Sequence, residues 1–301
     1  MKKFFEELFF EPKWYHWIVA FLLLPISLLY GSLMWLRRVL AKPKDYDIPI
    51  VSVGNLIVGG SGKTPFVIEL ANRYEDVAII SRGYGRESSG LVVVSRYGKI
   101  ECDVKTSGDE AMLMAQSTQA TVIVSENRAI AIKQAKDMKA KLIILDDGFN
   151  KVNIKKYDIL LEPPVIKNYL PFPSGGFREF YFDRVYANLV LKEGVDYHRV
   201  VECEDLTPTM MLTTAISNPK RLDKYLPKGV VDRYILEDHA YFDEEVLKEQ
   251  MKAKNITSLL VTQKDAVKLS DFKLSLSIMK LKLEIRNSVY ESIDKYIQGK
   301  L

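Results

Sequence analysis

Cysteine is nearly missing from this chain: Cys102 and Cys203 are the two among 301 residues. Their separation is no metal-ligand spacing, and two thiols make no disulfide framework. Redox chemistry and structural zinc are therefore poor readings, and both residues read as reduced thiols of a cytosolic domain. Histidine is scarce as well, with His16, His198 and His239 the three imidazoles. Neither sign of charge dominates, since 43 basic and 39 acidic residues leave a net +4. That is too little to argue for nucleic acid. No internal repeat or low-complexity tract stands out. What remains is a globular composition, 48% hydrophobic and 27% charged, long enough for one or two domains with a buried core.

Charge is also absent locally, from Trp17 to Leu36. A helix of that length covers about 30 Å, the thickness of a hydrocarbon core. Trp14, Tyr15, Trp17 and Trp35 lie near its ends, where aromatic rings favour the membrane interface. Arg37, Arg38, Lys42 and Lys44 follow at once. They place the C-terminal end on the cytoplasmic side, next to anionic headgroups. Pro25 predicts a kink, which a membrane helix tolerates. The stretch is too long for a signal peptide and has no small-residue cleavage site after it. Spanning the bilayer and lying in its interface both remain open. The basic run either enforces topology or gathers anionic lipid.

After Tyr46 the pattern changes to short apolar runs alternating with helical stretches. Strands are expected at 48–54, 77–83, 91–95, 121–125 and 141–147, and helices at 64–74, 108–117 and 127–140. Continuous apolar strands between helices predict an α/β fold with a mostly parallel sheet covered on both faces. Near residue 190 the rhythm loosens into consecutive strands before an α/β pattern resumes. The expected division is a membrane-associated helix with a basic flank at 1–44, a core at 45–190 and a smaller α/β lobe at 191–301.

The core opens on "VGGSGKTPFVIELA", residues 58–71. A strand, a glycine-rich turn and a helix beginning at Lys63-Thr64 make a phosphate cradle, in which backbone N–H groups and the helix dipole hold anionic oxygens. Gly59, Gly60 and Gly62 let the backbone approach closely, with Ser61 between them. Lys63 reaches the β- and γ-phosphates, and the Thr64 hydroxyl ligates Mg²⁺. The usual spacing wants glycine at 57, where this chain has Ile57. Further on, "LIILDDGFN" ends an apolar strand on Asp146 and Asp147, at the edge where a parallel sheet opens to ligands. Carboxylates there hold Mg²⁺ directly or through water, although a DDG sequence is also good turn chemistry.

Taken together, "VSVGNLIVGGSGKTP", "ISRGYG", "SGDEAMLMA", "LIILDDGFN", "PSGGFRE", "LEDHAYF" and "VTQKDAVK", in this order after an apolar helix, resemble the tetraacyldisaccharide 4′-kinase family, the lipid A 4′-kinases of Gram-negative bacteria. The resemblance runs nearly end to end and includes the displaced glycines. It implies a P-loop NTPase-like fold, ATP and Mg²⁺ as cofactors, and transfer of the γ-phosphoryl group to the 4′-hydroxyl of an acylated glucosamine disaccharide 1-phosphate, giving lipid IVA. It implies work at the cytoplasmic face of the inner membrane, on a lipid substrate, with no nucleic acid and no protein partner. Two departures stand out. Asn150 and Lys151 replace the glutamine and histidine of the family's "DDGFQH", and Gln263 replaces a glutamate.

The resemblance assigns the acceptor's proton to an Asp–His pair, Asp109 and His239. An aspartate beside the hydroxyl accepts the proton, and a histidine orients the aspartate or shares it. Asp109 is equally a good first-turn helix residue. Arg178 suits bidentate phosphate binding and Glu179 the magnesium shell, or the two form a loop ion pair. Arg82 and Arg128 are further anion-binding candidates. His198, Phe149 and Tyr84 read as structural. Two other classes compete. One is a membrane-associated P-loop NTPase switch that binds a protein partner, weakened by Val58, where such ATPases carry lysine. The other is a GTP-binding protein, since Thr262-Gln263-Lys264-Asp265 loosely mimics a guanine-reading element.

Overall fold

A computed structural model describes residues 2–59, 62–216, 219–238 and 240–300, with Lys2 as backbone only. Two helices come first, α1 (Lys2–Phe10) and α2 (Trp14–Val39). The core follows as β1 (Ile50–Gly54), α3 (Lys63–Arg73), β2 (Val77–Ser81), β3 (Val92–Arg96), β4 (Lys99–Ile100), α4 (Val104–Ser107), α5 (Asp109–Ser117), β5 (Thr121–Val124), α6 (Arg128–Asp137) and β6 (Leu142–Asp146). Then come β7 (Tyr157–Glu162), β8 (Leu189–Lys192), β9 (Tyr197–Glu204), β10 (Met210–Thr214) and β11 (Val230–Ile235). The chain closes with α7 (Glu244–Ala253), β12 (Ser258–Thr262), α8 (Gln263–Lys268), β13 (Leu276–Ile285) and α9 (Asn287–Gln298). The apolar runs expected to be strands are strands. The elements missed from sequence include α1, β4, α4, β7, β11 and α9.

Two compact units interleave along the chain, one of residues 1–63, 142–198 and 285–301, the other of 64–141 and 199–284. In the first unit, strands lie in the order β6-β1-β7-β8, all parallel. Every residue of β1 and β6 is buried, which is why their sequences run apolar without alternation. Val53 of β1 pairs with Asp146 of β6, so both strands end at one edge. Below β1, the Tyr296 hydroxyl of α9 donates to the Ile50 carbonyl at 3.2 Å. In the second unit β2 and β5 are parallel, β5 and β3 antiparallel, and β3 and β4 a hairpin. A five-stranded sheet there runs β11-β10-β12-β13-β9. Its alternating edge strand β11, with Val231 and Ile235 exposed, gives a weak apolar signal, and it is the strand of this sheet that the sequence reading missed.

The uncharged segment is α2, 26 residues that pass Pro25 without ending. By length and composition it can cross a bilayer. Its buried residues are His16, Ala20, Ser27 and Gly31, a stripe at helical spacing that faces the protein. Most of the large apolar side chains elsewhere on it, including Phe21, Leu22 and Leu29, are exposed. The stripe is docked by polar contacts. The Ser27 hydroxyl donates to Ser174 Oγ at 2.7 Å and accepts from the Ser174 N–H at 2.8 Å. Ser174 Oγ in turn donates to the Ala20 carbonyl at 2.8 Å. A ring edge of Phe180 fills the space a Cβ on Gly31 would need, 2.6 Å away. Ser27→Ala leaves a buried N–H without its acceptor, so a stability loss of about 1–3 kcal/mol is expected by denaturant titration. Ser32→Ala, on the exposed side, is the control, expected within about 0.5 kcal/mol of the parent.

Candidate active site

The first unit builds a cradle from three segments. Gly54 ends β1, and a Cβ there would meet Phe149 Cβ at 2.6 Å. Close packing of the strand end on the DDGFN turn therefore requires glycine. Gly54→Ala is expected to push that turn away, lowering ATP affinity measured by calorimetry by about tenfold, one small free-energy step. Past β1, the Leu56 carbonyl accepts from the Arg178 N–H and the Val58 N–H donates to the Gly176 carbonyl, both at 2.8 Å. The PSGGFRE segment is thus zipped along residues 56–58. Gly59 and Gly62 take positive φ, 92° and 76°, and Lys63 then opens α3. Gly60 and Ser61 lie outside the described residues.

These segments bring three predicted site residues together. Asp147 follows β6 in the left-handed region, at φ 52°, a conformation aspartate tolerates better than most residues. Its Oδ1 lies 3.5 Å from Lys63 Nζ, and its Oδ2 accepts from Arg178 Nη1 at 2.8 Å. Burial raises the Asp147 carboxyl, but Lys63 and Arg178 outweigh it and hold the group below the ordinary carboxylate range. Lys63 Nζ also donates to Asn55 Oδ1 at 3.1 Å. Asn55 was not singled out from sequence. It is 4% exposed and its Nδ2 has no hydrogen-bond partner among the described residues. The signal was present as a polar residue at the end of a buried strand.

Asp146 is buried at the end of β6, next to Asp147, as expected. Glu179 stands elsewhere. Its Oε2 accepts from Arg38 Nε at 3.0 Å and Nη2 at 2.5 Å, so an ion pair with α2, not with neighbouring Arg178, occupies it. Burial pushes Glu179 above the ordinary range, with Arg38 opposing. Carboxylate oxygens such as those of Asp146 and Asp147 are the hard donors Mg²⁺ takes. No cluster of three or more acidic, histidine or cysteine ligands occurs among the described residues.

The second unit holds the other predicted group. Gly108 turns at φ 84° into α5, and Asp109, 5% exposed, begins it. Two cations from α8 converge on Asp109 Oδ2, Lys268 at 3.4 Å and Lys264 at 3.5 Å. They stand four apart on one helical face. Lys264 also meets Glu110 Oε1 at 3.2 Å and Asp238 Oδ1 at 3.8 Å. Burial lowers the Lys264 ammonium, but Glu110, Asp109 and Asp238 outweigh it and raise it. Both lysines were missed as partners of Asp109, although they lie in a quoted motif. His239 lies outside the described residues.

Other candidates sort by environment. Asp265, fully buried, accepts from Thr214 Oγ1 at 2.6 Å, Thr262 Oγ1 at 2.7 Å and the Ala215 N–H at 3.0 Å. That carboxylate is spent inside the fold, and the guanine-reading alternative loses its acceptor. Arg128 is buried and donates to the Ser125 carbonyl, while Arg82 is exposed. Phe149 packs as expected, at 2% exposure, whereas Tyr84 is 67% exposed.

The family model for tetraacyldisaccharide-1-phosphate 4′-kinases matches residues 19–206 and 199–298. A Helicobacter pylori tetraacyldisaccharide 4′-kinase is 48% identical over 299 residues, 98% of this chain and 95% of that protein. The Aliarcobacter butzleri protein of the same name is 47% identical, covering 98% and 96%. Among solved structures, LpxK from Aquifex aeolicus, crystallised with ATP, superposes with a TM-score of 0.78 at 26% identity, over 93% of this chain and 99% of that one. With the family model and these relatives matching nearly its full length, the chain belongs to the tetraacyldisaccharide 4′-kinase family.

Proposed function

We propose that this chain is an ATP-dependent kinase that phosphorylates the 4′-hydroxyl of an acylated glucosamine disaccharide 1-phosphate, forming lipid IVA at the cytoplasmic face of the inner membrane. The observation that carries the reading is Lys63 at the start of α3, held between Asn55 and Asp147 with Arg178 behind, in a chain so close to named 4′-kinases. Lys63, the loop from Gly59 to Gly62 and Arg178 hold the triphosphate. Thr64, Asp146 and Asp147 would hold Mg²⁺, whereas Glu179 is taken up by Arg38. When bound, Mg²⁺ would supply neutralisation of the charge developing on the transferred phosphoryl group.

Asp109 takes the proton of the attacking hydroxyl, and His239 orients or shares it. Lys264 and Lys268 stand 3.5 and 3.4 Å from the Asp109 carboxylate. The exposed apolar face of α2 seats the protein on the bilayer where its acceptor resides. No observation favours the partner-binding switch. The test combines purified protein, labelled ATP, Mg²⁺ and the acylated disaccharide 1-phosphate in detergent. A labelled bisphosphorylated lipid is the expected product. Phosphate release without labelled lipid sinks the reading in favour of the switch.

A further inference from the structure

The basic run after the apolar segment reads from sequence as a topology or lipid signal, but one of its cations turns inward. The Arg38 side chain is 7% exposed. Besides its two bonds to Glu179, its Nη2 donates to the Phe149 carbonyl at 3.3 Å. Its guanidinium carbon lies 4.2 Å from the centroid of the Phe149 ring and 5.5 Å from that of Tyr186. Arg37 donates to the next carbonyl, that of Asn150.

We propose that Arg38 is a positioning residue for phosphoryl transfer, locking the segments that carry Asp147 and Arg178 against the end of α2. This rests on the reading above, in which Lys63, Asp147 and Arg178 receive the triphosphate. Phe149 is two residues beyond Asp147, and Glu179 adjoins Arg178. One guanidinium therefore ties both arms of the cradle at once. Phe149 in turn packs on Gly54, at the head of the phosphate loop.

Stability alone is a weak reason for such a clamp. Around Arg38 and Glu179 lie Asp183, fully buried, and the Lys156–Asp158 pair, 2.8 Å apart with side chains 3% and 10% exposed. Buried ion pairs of this kind are often no better for stability than apolar residues of equal size. What a guanidinium supplies is geometry: a planar fork that holds a carboxylate and a carbonyl together while stacking on a ring. Lysine retains the charge and loses the fork. The helix read as an anchor thereby becomes part of the scaffold of the site.

The experiment uses full-length Arg38→Lys with the lipid acceptor in detergent. We expect kcat to fall about tenfold or more, the scale of a sub-ångström to ångström misplacement. Sedimentation with anionic phospholipid vesicles and the folded fraction by circular dichroism should match the parent. Glu179→Gln should show a similar loss, and the double variant should be no worse than the poorer single, as for residues acting as one unit. Should Arg38→Lys fail to fold, Glu179→Gln alone decides, and parent-level kcat in it overturns the proposal. Parent-level kcat in Arg38→Lys, losses that multiply in the double variant, or a loss that follows the unfolded fraction would each overturn it too. Lys63→Ala separates the two levels. If that variant also turns over normally, the site reading falls and takes the clamp with it. If Lys63→Ala is inactive and Arg38→Lys is normal, the clamp alone is wrong.

Discussion

Lys63→Ala is expected to abolish phosphoryl transfer, with kcat/KM down by about 10³-fold or more, about 4 kcal/mol of transition-state stabilisation. Its ammonium sits 3.1 Å from Asn55 and 3.5 Å from Asp147, at the start of a helix whose free N–H groups already favour anions. Removing it subtracts a cation where charge spreads over the γ-phosphoryl oxygens, which nearby neutral donors replace poorly. The fold should survive, since Arg178 still pairs Asp147. A pH signature accompanies the loss. Asp147 is held below its unfolded value, so its contribution to stability is present above the unfolded pKa and lost as pH falls through the folded one. Without Lys63 the folded pKa rises, and less of that contribution remains at neutral pH. Thermal midpoints against pH check this sign: the gap between parent and variant should narrow as the solution is acidified.

Asp109→Ala and His239→Ala are each expected to cut turnover by about 10²-fold or more, the scale of a lost acid–base group. Asp109→Asn sharpens the case. It keeps the size of the side chain and its place at the head of α5, but it cannot accept the proton as a carboxylate does. An equal loss in Asn and Ala variants supports the base, and a near-parent rate in Asp109→Asn puts the base elsewhere. Rates need scaling to folded protein, because loss of the carboxylate leaves Lys268, 1% exposed at its side chain, with a buried charge facing the Ala240 carbonyl at 3.1 Å. Such an unpaired charge costs about 3–5 kcal/mol.

Legibility followed the strength of local signals. The runs IVSVG, VAIIS and LIILD, buried at every position, were read as strands because they are almost wholly apolar, with no alternation of polar residues. The alternating β11 was not, and neither was α9, whose apolar stripe, with Val289 and Ile293 buried, lies among polar residues. At the site, the residues named in advance belong to motifs whose chemistry is carried by type and order. Asn55, Lys264, Lys268 and Arg38 escaped because their meaning depends on what folds against them. Glu179 was assigned by its neighbour in sequence and is held by an arginine 141 positions away.

The sequence by itself determined the class of chemistry: a strand, glycine turn and lysine for triphosphate, aspartates at a strand end, and an uncharged segment for lipid. These are local properties, set by backbone freedom, apolar run length and side-chain type. Tertiary structure alone decided which charges meet. It sent Arg38 inward to Glu179, put two lysines on Asp109 and spent Asp265 inside a buried hydrogen-bond network, because pairing a buried charge depends on distance through space and not on order along the chain.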